Sequence, residues 1–135
     1  MERLKKIMLV DDDDVAGFLT KMIIDNLSIA ESVVIAMNGK EAIELLEQED
    51  YIFPDIIFLD INMPIMDGFD FLNAWERNGM ETKSKIVMFS SSLRPSDKKQ
   101  ALAFFDVVDY IEKPMTEDKI IELIKNLYPN FASLD

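Results

Sequence analysis

The chain has 135 residues, no cysteine, no histidine and a formal net charge of −12. Those absences exclude a disulfide framework, a common zinc site, a histidine-based triad and a phosphohistidine on this chain. The acidity argues against nucleic acid, whose phosphates need Lys and Arg, and against an anionic membrane surface.

No apolar stretch nears the roughly 20 residues that cross a bilayer. Met1–Lys6 leads into a short apolar run with no small-residue cleavage pattern, so a signal peptide is not expected. The length fits one domain of 1–135, with a core of about 5–127, a tail of 128–135 and no output domain. A soluble cytoplasmic protein is the expectation.

Ile7–Val10 reads as a first strand. Val15, Phe18, Leu19, Met22 and Ile23 follow at helical spacing and predict a helix with that face inward, capped by Asp13 or Asp14 and closed by Asn26–Ser28. Ser32–Ala36 is β-branched and predicts a second strand. Asn38-Gly39 marks a turn before a helix carrying Ala42, Ile43, Leu45 and Leu46. Ile56–Leu59 is continuously apolar and predicts a central strand. Met63-Pro64 and Asp67-Gly68 punctuate the next loop, and Phe69, Leu72, Ala74 and Trp75 belong to a third helix ending near Asn78-Gly79.

Ile86–Phe89 predicts a fourth strand running into Ser90, Ser91 and Ser92. Pro95-Ser96-Asp97 opens a fourth helix through about Phe104. Val107–Ile111 predicts the fifth strand, and Lys113-Pro114 a stiff turn. Thr116 caps a last helix bearing Ile120, Ile121, Leu123, Ile124 and Leu127, stopped by Tyr128-Pro129. Alternating strands and helices imply an α/β fold with a parallel sheet and helices on both faces. Met8, Met22 and Met88 are expected in the core, and Met63, Met66 and Met115 on rim loops. One ring of Phe104-Phe105 is expected to be buried, and Phe131 is the candidate anchor of the tail.

Ligands of open parallel sheets bind outside the carboxyl ends of the strands. There this chain places Asp11-Asp12, Asp60 and Lys113. Singly, each has an ordinary reading: a solvated acidic turn, a helix cap, a surface lysine. Together they do not. Two carboxylates about 4 Å apart repel by roughly 4 kcal/mol at an effective dielectric of 20, so Asp11, Asp12 and Asp60 at one rim need a cation. Carboxylate oxygens without His or Cys favour Mg2+. A carboxylate attacking a phosphoryl group needs the same ion, a lysine adds a second charge, and Ser90 offers a hydroxyl to a third oxygen.

Val10-Asp11-Asp12, Leu59-Asp60-Ile61-Asn62-Met63-Pro64 with Met66-Asp67-Gly68, Phe89-Ser90 and Tyr110-Ile111-Glu112-Lys113-Pro114 resemble a response-regulator receiver domain over about residues 5–127. The resemblance implies a flavodoxin-like (βα)5 three-layer sandwich with sheet order 2-1-3-4-5. It implies that Asp60 accepts a phosphoryl group from a sensor histidine kinase or histidine phosphotransfer protein. Asp11, Asp12, Asp60 and the backbone carbonyl of Asn62 would hold Mg2+. Lys113 would pair with the phosphoryl group, Ser90 would be the switch hydroxyl, and Tyr110 the aromatic ring that turns with it. The fourth helix, fifth strand and fifth helix would present the changed face.

The donor would dock over the first helix, where Ala16, Gly17, Thr20 and Lys21 are the expected exposed positions, and over the loop after Lys113. A separate effector would receive the signal, with the chain a monomer or a weak phosphorylation-dependent dimer; service as a phosphorelay intermediate is the alternative. A Mg2+-dependent aspartyl-phosphate phosphatase fits less well, because Asn62 stands where such enzymes carry a second Asp as general acid. The complete set of site residues argues against a degenerate scaffold. Ser90 stands where Thr is more frequent. Phe105-Asp106-Val107 stands where the family usually has Gly-Ala before the fifth strand. Asn62 and Ser92 occupy positions that tune dephosphorylation in the family.

Overall fold

The computed structural model describes residues 3–131. The strands are β1 (Leu4–Val10), β2 (Ala30–Ala36), β3 (Ile56–Leu59), β4 (Lys85–Ser90) and β5 (Val107–Glu112). They form one parallel sheet in the order β2-β1-β3-β4-β5. Every residue of β3 is buried, as a central strand covered on both faces requires.

The strands send alternate side chains to two cores. Ile7, Leu9, Ile56, Phe58, Val87 and Phe89 meet Ile24 of α1 (Asp14–Asn26) and Ile120, Leu123 and Ile124 of α5 (Glu117–Leu127). Met8, Val10, Ile57, Leu59, Ile86 and Met88 meet α2 (Gly39–Leu46), α3 (Gly68–Arg77) and α4 (Pro95–Leu102) through Ile43, Leu46, Phe71, Trp75 and Ala101. The three-layer arrangement and the strand order agree with the sequence reading.

Four helices start where a side chain accepts their free amides. Asp13 accepts from Val15 and Ala16, Asn38 from Glu41, and Thr116 from Lys119. Asp67 and Asp70 form a reciprocal capping box at α3. The turn into β5 is held by buried Asp106, whose Oδ2 accepts from Trp75 Nε1 at 2.8 Å and Thr82 N at 2.9 Å. That carboxylate organises the turn before β5.

The main correction concerns α1. Val15, Phe18, Leu19 and Met22 are 66%, 60%, 50% and 44% exposed, so most of the predicted core face looks outward, while Ile23 packs against the core as expected. Gly17, Thr20 and Ile24 pack inward instead. Gly17 and Thr20 are therefore not the exposed docking positions expected, while Ala16 and Lys21 are half-buried. The reason is thickness: a Cβ at Gly17 would already lie 3.8 Å from an Ile35 methyl, so the sheet accepts small residues here.

Smaller differences follow the same logic of burial. β1, β2, β4 and β5 extend beyond their apolar centres, and α4 stops at Leu102 rather than about Phe104. Met63 and Met115 are buried rather than free on the rim, and Met66 packs partly against the core. Phe104 is half-buried and Phe105 exposed. Phe131 packs against the α1–α5 core; the rest of the expected tail, 132–135, lies outside the described residues.

Candidate functional site

β1 ends in Val10, and the next residue, Asp11, remains tied to the sheet by its N–H donating to the Ala36 carbonyl at 3.0 Å. β3 ends in Leu59, and Asp60 N donates to the Val10 carbonyl, also at 3.0 Å. These extensions of the ladder set two carboxylates side by side at the carboxyl edge. Asp11 and Asp60 are buried and Asp12 is exposed. One carboxylate oxygen from each lies within 4.8 Å of the others.

Lys113 closes the cluster. Its Nζ is 2.7 Å from Asp11 Oδ2 and 3.5 Å from Asp60 Oδ2. The Lys113 N–H donates to the Ser90 carbonyl at 3.0 Å, which ties the lysine to the end of β4. The lysine stem also passes the Phe89 ring, with Nζ 5.6 Å from its centroid. Burial alone raises the Asp60 carboxyl above its ordinary value of 3.8; Lys113 opposes that rise and Asp11 adds to it. Burial alone lowers Lys113, yet its contacts with Asp11 and Asp60 outweigh this, so it sits above 10.5.

Asp11 Oδ1 accepts from Asp13 N at 2.9 Å, and Asp60 Oδ1 from Ile61 N at 2.8 Å. In each case the other oxygen faces the lysine. Asp11 Oδ2 is fully buried and meets the ammonium as an ion pair without hydrogen-bond geometry. Three clustered carboxylates, two of them paired with one lysine, leave a surplus of negative charge. A hard divalent cation with oxygen ligands, such as Mg2+, fits that donor set, and Asp11, Asp12 and Asp60 are the residues that could hold it.

Gly68 governs the loop after β3. Its N–H donates to the Ile61 carbonyl at 2.8 Å, and a Cβ there would fall 2.5 Å from the Asp60 carbonyl oxygen. Only a residue without a side chain allows that approach to the backbone of Asp60. Asn62 lies exposed on the same loop. Ser90 is fully buried at the end of β4, and its Oγ accepts from Ser92 N at 3.1 Å. Tyr110 is half-buried and its hydroxyl donates to the Ser92 carbonyl at 3.1 Å.

The expected residues thus meet at one edge. Sequence reading placed Ser92 among positions that tune dephosphorylation but overlooked its bonds: its carbonyl and amide join Tyr110 to Ser90. Its signal, a hydroxyl two residues past a strand end, is shared by countless turns. It also overlooked the outward face of α1, for which the clue was the small pair Gly17 and Thr20 in register with Ile24.

The sequence model of the response regulator receiver domain matches residues 7–125. The chain belongs to this family. A response regulator from Cytophaga hutchinsonii superimposes with a TM-score of 0.82 at 30% identity, covering 96% of this receiver and 100% of that chain. A CheY-like receiver from Methanospirillum hungatei gives a TM-score of 0.75 at 31% identity, covering 93% and 94%. The protein-glutamate methylesterase/protein-glutamine glutaminase 1 of Syntrophomonas wolfei is 34% identical over 115 residues, which is 82% of this receiver and 30% of that protein. The receiver therefore spans about a third of the length of such relatives. Among the described residues no helix is long and apolar enough to cross a membrane.

Proposed function

We propose that this receiver accepts a phosphoryl group on Asp60 from the phosphohistidine of a sensor kinase or phosphotransfer protein. The observation that carries the reading is the Lys113 ammonium reaching both Asp11 and Asp60, beside Asp12, at one strand edge. A carboxylate oxygen of Asp60 attacks phosphorus, a P–O bond forms, and the P–N bond breaks with its electron pair leaving on the imidazole. Asp11, Asp12, Asp60 and the Asn62 carbonyl would hold Mg2+. When bound, the ion supplies positive charge to the equatorial oxygens of the transferring group. Lys113 turns from Asp11 to a phosphoryl oxygen, and the Ser90 O–H donates to another.

Docking of the donor falls on the outward face of α1. A groove of about 320 Å³ beside it is lined by Val15, Leu19, Phe89, Lys113, Pro114 and Met115, among others. It leads from the apolar stripe toward Lys113. A partner seated on Val15, Phe18, Leu19 and Met22 sits beside that groove and brings its histidine to the Lys113 side of the site. The signal leaves through α4, β5 and α5 to a separate effector.

Incubation with Mg2+ and acetyl phosphate, followed by intact-mass measurement, tests this. One phosphoryl adduct, labile at high pH, is expected. It is absent without Mg2+ and in Asp60→Ala. An adduct that persists in Asp60→Ala sinks the assignment.

A further inference from the structure

A hydrogen-bonded link from the site to α4 runs through Ser92. Ser92 uses three groups in three directions. Its N–H donates to Ser90 Oγ at 3.1 Å, and its carbonyl accepts from the Tyr110 hydroxyl at 3.1 Å. Its own hydroxyl donates to Asp97 Oδ2 at 2.7 Å, and the same Oγ accepts from Arg94 N at 3.3 Å. Asp97 lies in the first turn of α4.

α4 has little else to hold its start. Its N-cap, Arg94, makes no side-chain capping bond, and Ala101 is the helix's one buried residue among those described. Leu102 is exposed. A helix with so small a buried face moves at little cost in packing, so the bonds at its N-terminus set its position. The bond to Asp97 is charge-assisted and short, the strong kind.

We infer that Ser92 and Asp97 form the latch that ties α4 to the Ser90 hydroxyl. This rests on the reading that Asp60 is phosphorylated and that Ser90 then donates to the phosphoryl group. Ser90 Oγ already accepts from Ser92, so its proton is free to donate. When Ser90 shifts, Ser92 N–H follows its acceptor. The Ser92 carbonyl then carries the Tyr110 hydroxyl, and the Ser92 side chain carries Asp97 with the first turn of α4. Ser92 is a positioning residue: its side chain reaches α4 rather than the reacting atoms.

The test is amide hydrogen exchange across 95–102 in the full chain, with adduct formation followed by mass. Before any phosphoryl donor is added, Ser92→Ala and Asp97→Ala each speed exchange in this segment on the order of tenfold, as loss of one bond to a charged group does. The double variant is no faster than either single one, because both remove the same bond. Ser92→Thr, which keeps the donor, stays near wild type, and Asp97→Asn, which keeps an acceptor without the charge, falls between wild type and Asp97→Ala. With Mg2+ and acetyl phosphate, the wild-type segment changes its exchange. In Ser92→Ala and Asp97→Ala the adduct still forms on Asp60, and that change is lost. Wild-type exchange in the unphosphorylated Ala variants, or a full α4 response in their phosphorylated forms, overturns the latch. Failure of wild type to take the adduct counts against the phosphoacceptor reading, while the unphosphorylated comparison still decides the latch.

Discussion

α1 and α5 cover the same face of the sheet and both carry apolar residues at helical spacing, yet they use them in opposite ways. α5 turns Ile120, Leu123 and Ile124 into the core. α1 turns Gly17, Thr20 and Ile24 inward and leaves Val15, Phe18, Leu19 and Met22 in solvent. Periodicity identifies an amphipathic helix, but it does not say which partner the apolar face awaits. α5 is complete within this chain. α1 has apolar surface on both sides, and the outer one is left exposed.

Truncation separates the two helices most sharply. Ile124→Ala is expected to cost about 2–5 kcal/mol, the range for buried aliphatic side chains. Phe18→Ala is expected to stay within about 0.5 kcal/mol of wild type, as exposed substitutions do. Urea midpoints at constant slope measure both. Phosphotransfer from a histidine donor shows the reverse order, with Phe18→Ala slowing it by on the order of tenfold, as loss of an interface anchor does. Equal losses of stability in the two variants would contradict the outward face of α1.

The rim repeats the contrast between a finished surface and an unfinished one. Asp11, Asp12 and Asp60 cluster around a lysine that pairs with only two of them, so the folded chain carries repulsion that a cation relieves. Mg2+ at about 100 times its dissociation constant is expected to raise stability by about 2.7 kcal/mol through mass action. Asp12→Ala abolishes most of that gain, whereas Phe18→Ala leaves it whole. Thermal or urea unfolding with and without Mg2+ reads the difference. An unchanged gain in Asp12→Ala would remove that carboxylate from the ion's ligands.

Without Mg2+, Asp60 also sets a pH dependence. Its carboxyl lies above 3.8 in the fold, first because of burial. Between 3.8 and that raised value the unfolded chain releases this proton first, so stability falls as pH rises, then levels off. Asp60→Asn removes the fall and is expected to be more stable by about 1 kcal/mol at neutral pH, a common gain when a functional charge is lost. Lys113 acts at the other end. Its raised value means that its contribution is present below 10.5 and fades as pH climbs through the folded value. Unfolding curves from acid to alkaline pH check both signs.

The order of elements and the gathering of Asp11, Asp12, Asp60 and Lys113 were legible because strand ends in a parallel sheet share one edge. Burial of β3 was legible because four consecutive apolar residues leave no polar face. Three features were not. The face of α1 depends on how close the sheet lets a helix approach, which Ile35 decides from another element. Asp106 reads as a turn residue until Trp75 and Thr82 arrive from distant segments. The bond from Ser92 to Asp97 joins two ordinary polar residues five positions apart. Each depends on a contact that pattern and propensity do not encode.

Gly17 offers the finest test of why α1 sits as it does. Glycine within a helix costs roughly 0.5–1 kcal/mol relative to alanine, because the unfolded chain has more freedom to lose. A Cβ here would meet only Ile35 methyls, at 3.8 and 3.9 Å, which is ordinary contact rather than overlap. Gly17→Ala is therefore expected to stabilise the fold by about 0.5–1 kcal/mol in urea unfolding. Gly17→Leu has no such room: its branched end must push α1 off the sheet, and overpacking of that kind costs about 1–3 kcal/mol. A stabilising leucine would mean that the sheet tolerates large residues under α1. The small inner face would then not be what turns Val15, Phe18, Leu19 and Met22 outward.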